Sequence, residues 1–228
     1  MEDLCAFVKE NNADIGFAFD GDADRCLAVD ENGEIIDGDR ILAICELDMK
    51  KKGTLKNDTL VGTVMTNLGL IKAGKENGIK VYQTAVGDRY VIERMLQKGY
   101  NLGGEQSGHI IFLDHNTTGD GVLSAIQVLT VLKESGKKAS EPASVMQVMP
   151  QVHLNARVRN ENKDKYLEDI VIKKAIDDLT EKYENDGRVL IRTSGTEPLI
   201  RVMIEGTDTK KMEKDAEELK NLIEQRLQ

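Results

Sequence analysis

Three aspartates at alternating positions, Asp20, Asp22 and Asp24, follow directly on the apolar run at residues 15–19, and Arg25 follows them. Turned toward one point, their carboxylates would offer the hard oxygen ligands that magnesium or calcium prefers, with water or a phosphate oxygen completing the shell. A solvated acidic turn is the lesser reading, because an apolar strand leads straight into the loop. An EF-hand would use the same three aspartates with Glu31 at the twelfth position, but it needs glycine where Arg25 stands and helices where strands are expected. That reading is rejected.

A second polar loop, residues 103–109, reads Gly-Gly-Glu-Gln-Ser-Gly-His. In an extended stretch Glu105, Ser107 and His109 share a face. A carboxylate and a hydroxyl there suit sugar hydroxyls, and histidine can exchange a proton near neutral pH. Alone, the loop fits a glycine-rich turn with incidental polar residues equally well. A third loop, Arg192-Thr193-Ser194-Gly195-Thr196-Glu197-Pro198, is followed by Arg201. Hydroxyls, backbone N–H groups around a glycine and two arginines supply charge-assisted donors for a phosphate dianion. The alternative is an ordinary Ser/Thr-rich turn, which the flanking arginines disfavour. Gly87-Asp88-Arg89 is a fourth candidate, read first as a helix cap through Asp88 and second as a direct catalytic element.

The elements that must hold these loops alternate. A short helix at 4–10 precedes strands at 15–19 and 26–29, and Asn32-Gly33 signals a hairpin into Ile35-Ile36. Helices are expected at 40–51, 68–76, 90–97 and 120–134, with strands at 59–64, 80–84 and 110–113. This is an α/β pattern with a mixed, mostly parallel sheet and helices on both faces. The polar, proline-bearing segment 137–142 suggests a boundary. Beyond it a small α+β unit is expected: strands at 148–158, 189–192 and 199–205, a helix at 166–183, and a terminal helix from Asp208. In that last helix Met212, Ala216, Leu219, Ile223 and Leu227 fall on one face. The first 36 or so residues are too few for a core of their own and read as the end of a domain whose beginning is missing.

With 228 residues, 40% hydrophobic and 31% charged, the chain reads as a soluble globular protein. The net charge of −9 and the absence of tryptophan argue against a nucleic-acid surface. No apolar run is long enough for a membrane span, and the N-terminus lacks a signal-peptide pattern. Cys5, Cys26 and Cys45 read as reduced thiols, which points to the cytoplasm.

Together and in this order, the loops resemble those of the α-D-phosphohexomutase superfamily. Residues 20–25 match its metal loop, 104–109 its sugar loop and 192–198 its phosphate loop, across the whole chain. Gln106 and residues 86–91 (Val-Gly-Asp-Arg-Tyr-Val) are similar to the bacterial phosphoglucosamine mutase branch. The resemblance implies residues 1–37 as the end of domain 2, 38–143 as domain 3 and 144–228 as domain 4. The family's phosphoserine loop has no counterpart here. It further implies Mg2+ on Asp20, Asp22 and Asp24, with Arg25 helping to hold the transferring phosphoryl group and His109 as the candidate for proton transfer. Glu105 and Ser107 would grip sugar hydroxyls. Arg192, Thr193, Ser194, Gly195, Thr196 and Arg201 would hold the phosphate that is not reacting. The implied reaction interconverts glucosamine 6-phosphate and glucosamine 1-phosphate through a phosphoserine and a 1,6-bisphosphate, a step toward cell-wall precursors. The implied partners are a phosphorylated amino sugar and the N-terminal domains, without which the isolated chain is expected to be inactive. The alternatives are a hexose-specific member of the superfamily and a chain that only binds metal and sugar phosphate. An aspartate-nucleophile phosphatase is disfavoured because Asp24 stands where that class needs Thr or Val.

Overall fold

The apolar run after the first helix pairs with its neighbours as the hairpin chemistry requires. Helix α1 (Glu2–Glu10) lies on β1 (Ile15–Phe19), so closely that a Cβ on Gly16 would come within 2.7 Å of Val8. Strands β2 (Cys26–Asp30) and β3 (Ile35–Ile36) complete an antiparallel sheet in the order β1-β2-β3. The turn between them uses Asp30, whose Oδ1 accepts from the Asn32 and Glu34 amides, and Gly33 at φ 77°.

The structure is a computed structural model that describes residues 1–228. It divides into two units, Met1–Val148 and Met149–Gln228.

In the first unit the three-stranded sheet continues into α2 (Gly38–Lys52), capped by Asp37 accepting from the Arg40 amide. Then follow β4 (Thr59–Thr63), α3 (Leu68–Glu76), β5 (Lys80–Thr84), α4 (Asp88–Lys98), β6 (Leu102–Gly104), β7 (Ile110–Phe112), α5 (Gly121–Ser135) and the short α6 (Ser140–Ala143). The second sheet runs β5-β4-β6-β7, with β4 parallel to both β5 and β6 and β7 antiparallel at the edge. Side chains alternate across it as the pleat demands. Leu60 and Leu102 pack with α2, α3 and α5, while Val61 and Ile111 pack with Val91 and Met95 of α4 on the other face.

Two expectations change. Residues 1–37 are not a separate body, because Ala28 and Ile36 are buried in the same core as α2. The first unit also runs to Val148 rather than ending at 143, because Ala143 and Met146 are buried in that core too.

The second unit contains β8 (Gln151–Arg157), a 3-10 turn at Lys163–Leu167, α7 (Ile170–Tyr183), β9 (Arg188–Thr193), β10 (Leu199–Glu205) and α8 (Thr209–Leu227). Its sheet is antiparallel in the order β8-β10-β9. The expected helix from 166 begins at Ile170 instead. Asp169 caps it there, accepting from the Val171 and Ile172 amides. Met212, Ala216, Leu219, Ile223 and Leu227 of α8 are all buried, as their spacing predicts. No helix is long and apolar enough to cross a membrane.

Candidate functional site

The loop between β1 and β2 brings ligand oxygens of Asp20, Asp22 and Asp24 to within 4.8 Å of one another. Oxygens bound on opposite sides of one magnesium ion lie about 4.2 Å apart, so the set fits a small divalent cation. The turn that gathers them passes through Ala23 at φ 56°, a left-handed conformation that costs alanine roughly 1 kcal/mol. It is held by the Ala23 amide donating to the Asp20 carbonyl, and by the Gly121 amide donating to the Ala23 carbonyl. One carboxylate oxygen of Asp24, Oδ1, is buried without a hydrogen bond. Arg25 Nε stands 3.7 Å from Asp24 Oδ1 and 3.7 Å from Asp20 Oδ2, and the Arg25 amide donates to Asp20 Oδ1. An orphaned carboxylate oxygen facing a shared focus is what an oxygen-loving cation requires.

The sugar-type loop is knitted to the metal loop. Cys26 donates its amide to the Gly108 carbonyl, and Arg25 and His109 form an antiparallel bridge. Gly108, at φ 93°, leaves no room for a side chain, since a Cβ would come within 2.4 Å of the Cys26 carbonyl oxygen. His109 is 4% exposed. Its Nδ1 lies 3.1 Å from Asp24 Oδ2, and its Nε2 accepts from the Gly119 amide at 3.2 Å. Gln106 donates to Asp37 Oδ2, and its carbonyl accepts from the Gly38 amide, so it seats the loop on the start of α2. Ser107 is exposed. Glu105 is half-buried, and its Oε1 accepts from the Gly87 amide at 3.1 Å. Residues 103–104, expected in the loop, are the end of β6.

That Gly87 bond ties the fourth candidate to the sugar-type loop. Gly87 itself is the N-cap position of α4. Asp88 is the first helical residue and accepts from the adjacent Arg89 amide. Both Asp88 and Arg89 are exposed beyond the C-terminal end of β5.

In the second unit, Arg192 and Arg201 are register partners on β9 and β10. Burial and the neighbouring Arg201 both push the Arg192 guanidinium below its ordinary range. Arg201 Nε is buried without a partner, while its Nη2 pairs with Glu197. Thr193 ends β9, Ser194 is buried, and Gly195 and Thr196 stand exposed at the tip. Two cations side by side with an unused donor create demand for an anion. Ser194 organises the loop, its hydroxyl accepting from the Glu197 amide.

Sequence reasoning missed three contributors. Lys163, on the 3-10 turn, donates to the Ser194 carbonyl and brings another cation to the phosphate-type loop. Gly119 and Gly121 back the metal loop. A Cβ at Gly119 would lie 2.4 Å from the His109 ring, and one at Gly121 would lie 2.5 Å from the Arg25 carbonyl oxygen. Two glycines flanking the cap residue Asp120 were the available signal.

Models of the phosphoglucomutase/phosphomannomutase family match nearly all of this sequence. Alpha/beta/alpha domain II matches residues 1–33, alpha/beta/alpha domain III residues 37–149, and the C-terminal domain residues 154–222. The chain belongs to that family. Phosphoglucosamine mutases from Ruminiclostridium cellulolyticum and Acetivibrio thermocellus are 62% and 61% identical over 227 residues, which is 100% of this chain and 51% of each relative. The chain thus spans about half the length of the curated relatives it matches. The fold is shared with a phosphoglucomutase/phosphomannomutase family protein from Burkholderia thailandensis, at TM-score 0.77, 22% identity, and coverage of 98% of this chain and 49% of that one. It is also shared with Aspergillus fumigatus N-acetylphosphoglucosamine mutase in complex with GlcNAc-6P and magnesium. There the TM-score is 0.76 at 20% identity, covering 93% of this chain and 48% of that one.

Proposed function

We propose that this chain supplies the metal, sugar and distal-phosphate sites of a phosphoglucosamine mutase, interconverting glucosamine 6-phosphate and glucosamine 1-phosphate through a 1,6-bisphosphate. The reading rests on the Arg192–Arg201 pair with its unpartnered Nε beside a hydroxyl-lined loop, together with identity above 60% to phosphoglucosamine mutases along the whole chain. Phosphoryl transfer asks the protein for alignment and charge neutralisation more than for covalent help. Asp20, Asp22 and Asp24 hold Mg2+, which when bound supplies Lewis-acid polarisation of phosphoryl oxygens. Arg25 steadies the transferring group. Glu105 and Ser107 hold sugar hydroxyls in either orientation. Arg192, Thr193, Ser194, Gly195, Thr196 and Arg201 grip the phosphate at the far end of the sugar. The phosphoryl donor, a phosphoserine, lies outside these 228 residues, so the chain alone binds without turning over.

The family models are also named for glucose and mannose phosphates, which supports a hexose-specific alternative. Calorimetric titration in magnesium with glucosamine 6-phosphate, glucose 6-phosphate and mannose 6-phosphate separates the two. Tightest binding of the amino sugar, weakened about tenfold or more by Arg201→Ala through loss of a charged hydrogen bond, is the expected result. Equal affinity for all three sugars refutes the amino-sugar assignment. Unchanged affinity in Arg201→Ala refutes the phosphate site. Turnover by a preparation free of host enzyme refutes the inactivity of the isolated chain.

A further inference from the structure

His109 offers a substrate neither ring nitrogen without first breaking a hydrogen bond. Its Nε2 accepts from the Gly119 backbone amide, a group that can only donate, so the ring proton sits on Nδ1. Nδ1–H then donates to Asp24 Oδ2 at 3.1 Å. The ring cannot slide away, because it lies against the backbone of Gly119, where even a Cβ would be 2.4 to 2.6 Å from three of its atoms. The peptide just beyond it is pinned in turn, with Gly121 donating to the Ala23 carbonyl inside the metal loop. The consequence falls on Asp24. One oxygen is committed to the imidazole, and the other, Oδ1, is buried with no hydrogen bond of its own.

We propose that His109 is a positioning residue: by donating from Nδ1 to Asp24 it fixes that carboxylate with Oδ1 presented to the cation, and it does not carry a substrate proton. The inference rests on the metal-binding reading above. A histidine that orients a ligating carboxylate acts through geometry and through the ligand's residual charge, and losing such a partner typically costs about 10–100-fold in metal affinity. The same contact links the two loops. His109 closes the segment that carries Glu105 and Ser107, so the sugar-type loop and the metal loop share one anchor.

Two measurements on the full 228-residue chain decide it. Long-range proton–nitrogen NMR with labelled histidine reads the tautomer of the three imidazoles directly. One is expected in the Nδ1–H form, with signals that disappear in His109→Asn and shift when magnesium is added. Calorimetry with magnesium chloride then compares the parent with His109→Asn, whose amide nitrogen falls near Nδ1, and His109→Gln, whose polar atoms fall near Nε2. About tenfold weaker binding in His109→Gln, with His109→Asn within about threefold of the parent, is the expected pattern. An Nε2–H tautomer for His109 overturns the proposal even if His109→Gln fails to fold. Equal magnesium affinity in all three proteins overturns it as well while leaving the metal site intact. No magnesium binding by the parent overturns the metal reading itself, and the proposal with it.

Discussion

Glu46→Gln is expected to change how the chain's stability responds to pH. Glu46 lies on α2 with no exposed surface, and neither carboxyl oxygen has a hydrogen-bond partner within the protein. Burial raises its pKa from 4.5 to about 8. Because the folded value lies above the unfolded one, the protonated, folded form carries no penalty below about pH 4.5. As pH rises past that point the unfolded chain releases the proton first, and stability falls until the pH passes about 8. At about 1.4 kcal/mol per pH unit, the gap amounts to roughly 5 kcal/mol above pH 8 and to roughly 3 kcal/mol at pH 7. Glutamine keeps the shape but never ionises. Its buried amide costs roughly 1–3 kcal/mol without partners, and that cost does not vary with pH. The difference between variant and parent therefore isolates the ionisation, since every other titrating group is common to both. Urea unfolding followed by far-UV circular dichroism suits a chain without tryptophan. The transition assigned to the first unit is the one to follow. Glu46→Gln should be equal to or less stable than the parent near pH 5 and gain on it by several kcal/mol near pH 9. Parallel stability curves across that range would refute the reasoning.

Three further outcomes follow from the packing. Tyr183 donates its hydroxyl to Asp215, and burial together with that bond holds the phenol well above its ordinary pKa; Tyr183→Phe should cost about 2 kcal/mol of second-unit stability in urea, as expected for a buried hydrogen bond to a charged group. Gly119→Ala places a methyl group into a rigid imidazole and removes the freedom of its amide to approach Nε2. A loss of roughly 2 kcal/mol and a shift of the His109 ring signals are expected, and a variant as stable as the parent with unshifted signals would contradict the contact. Of the three cysteines, Cys26 and Cys45 are buried, and burial lifts the Cys26 thiol to about 12 and the Cys45 thiol further still. Native alkylation read by mass spectrometry should therefore label Cys5 alone within the time that urea-unfolded protein takes up three labels.

Much of this protein was legible in short stretches of sequence. Asn32-Gly33 specified a hairpin because glycine alone accepts the positive φ that the turn demands. Asp120 and Asp208 announced helix starts because a short carboxylate reaches the free amides of a first turn. The alternating aspartates after β1 identified a metal loop, and the arginines around residues 192–201 identified an anion site, because charge type and spacing are local properties. Tertiary structure decided the rest. The expected role of Asp88 as a cap passed to Gly87, since the approach of Glu105 to the Gly87 amide sets the entry into α4. Residues 103–104 became strand because Gly103 pairs with β4 and β7 at a closeness no side chain permits. The bond from His109 to Asp24 spans 85 positions. No periodicity or turn chemistry encodes a contact of that range: it exists only because α5 brings Gly119 and Gly121 back against the metal loop, leaving the imidazole one orientation.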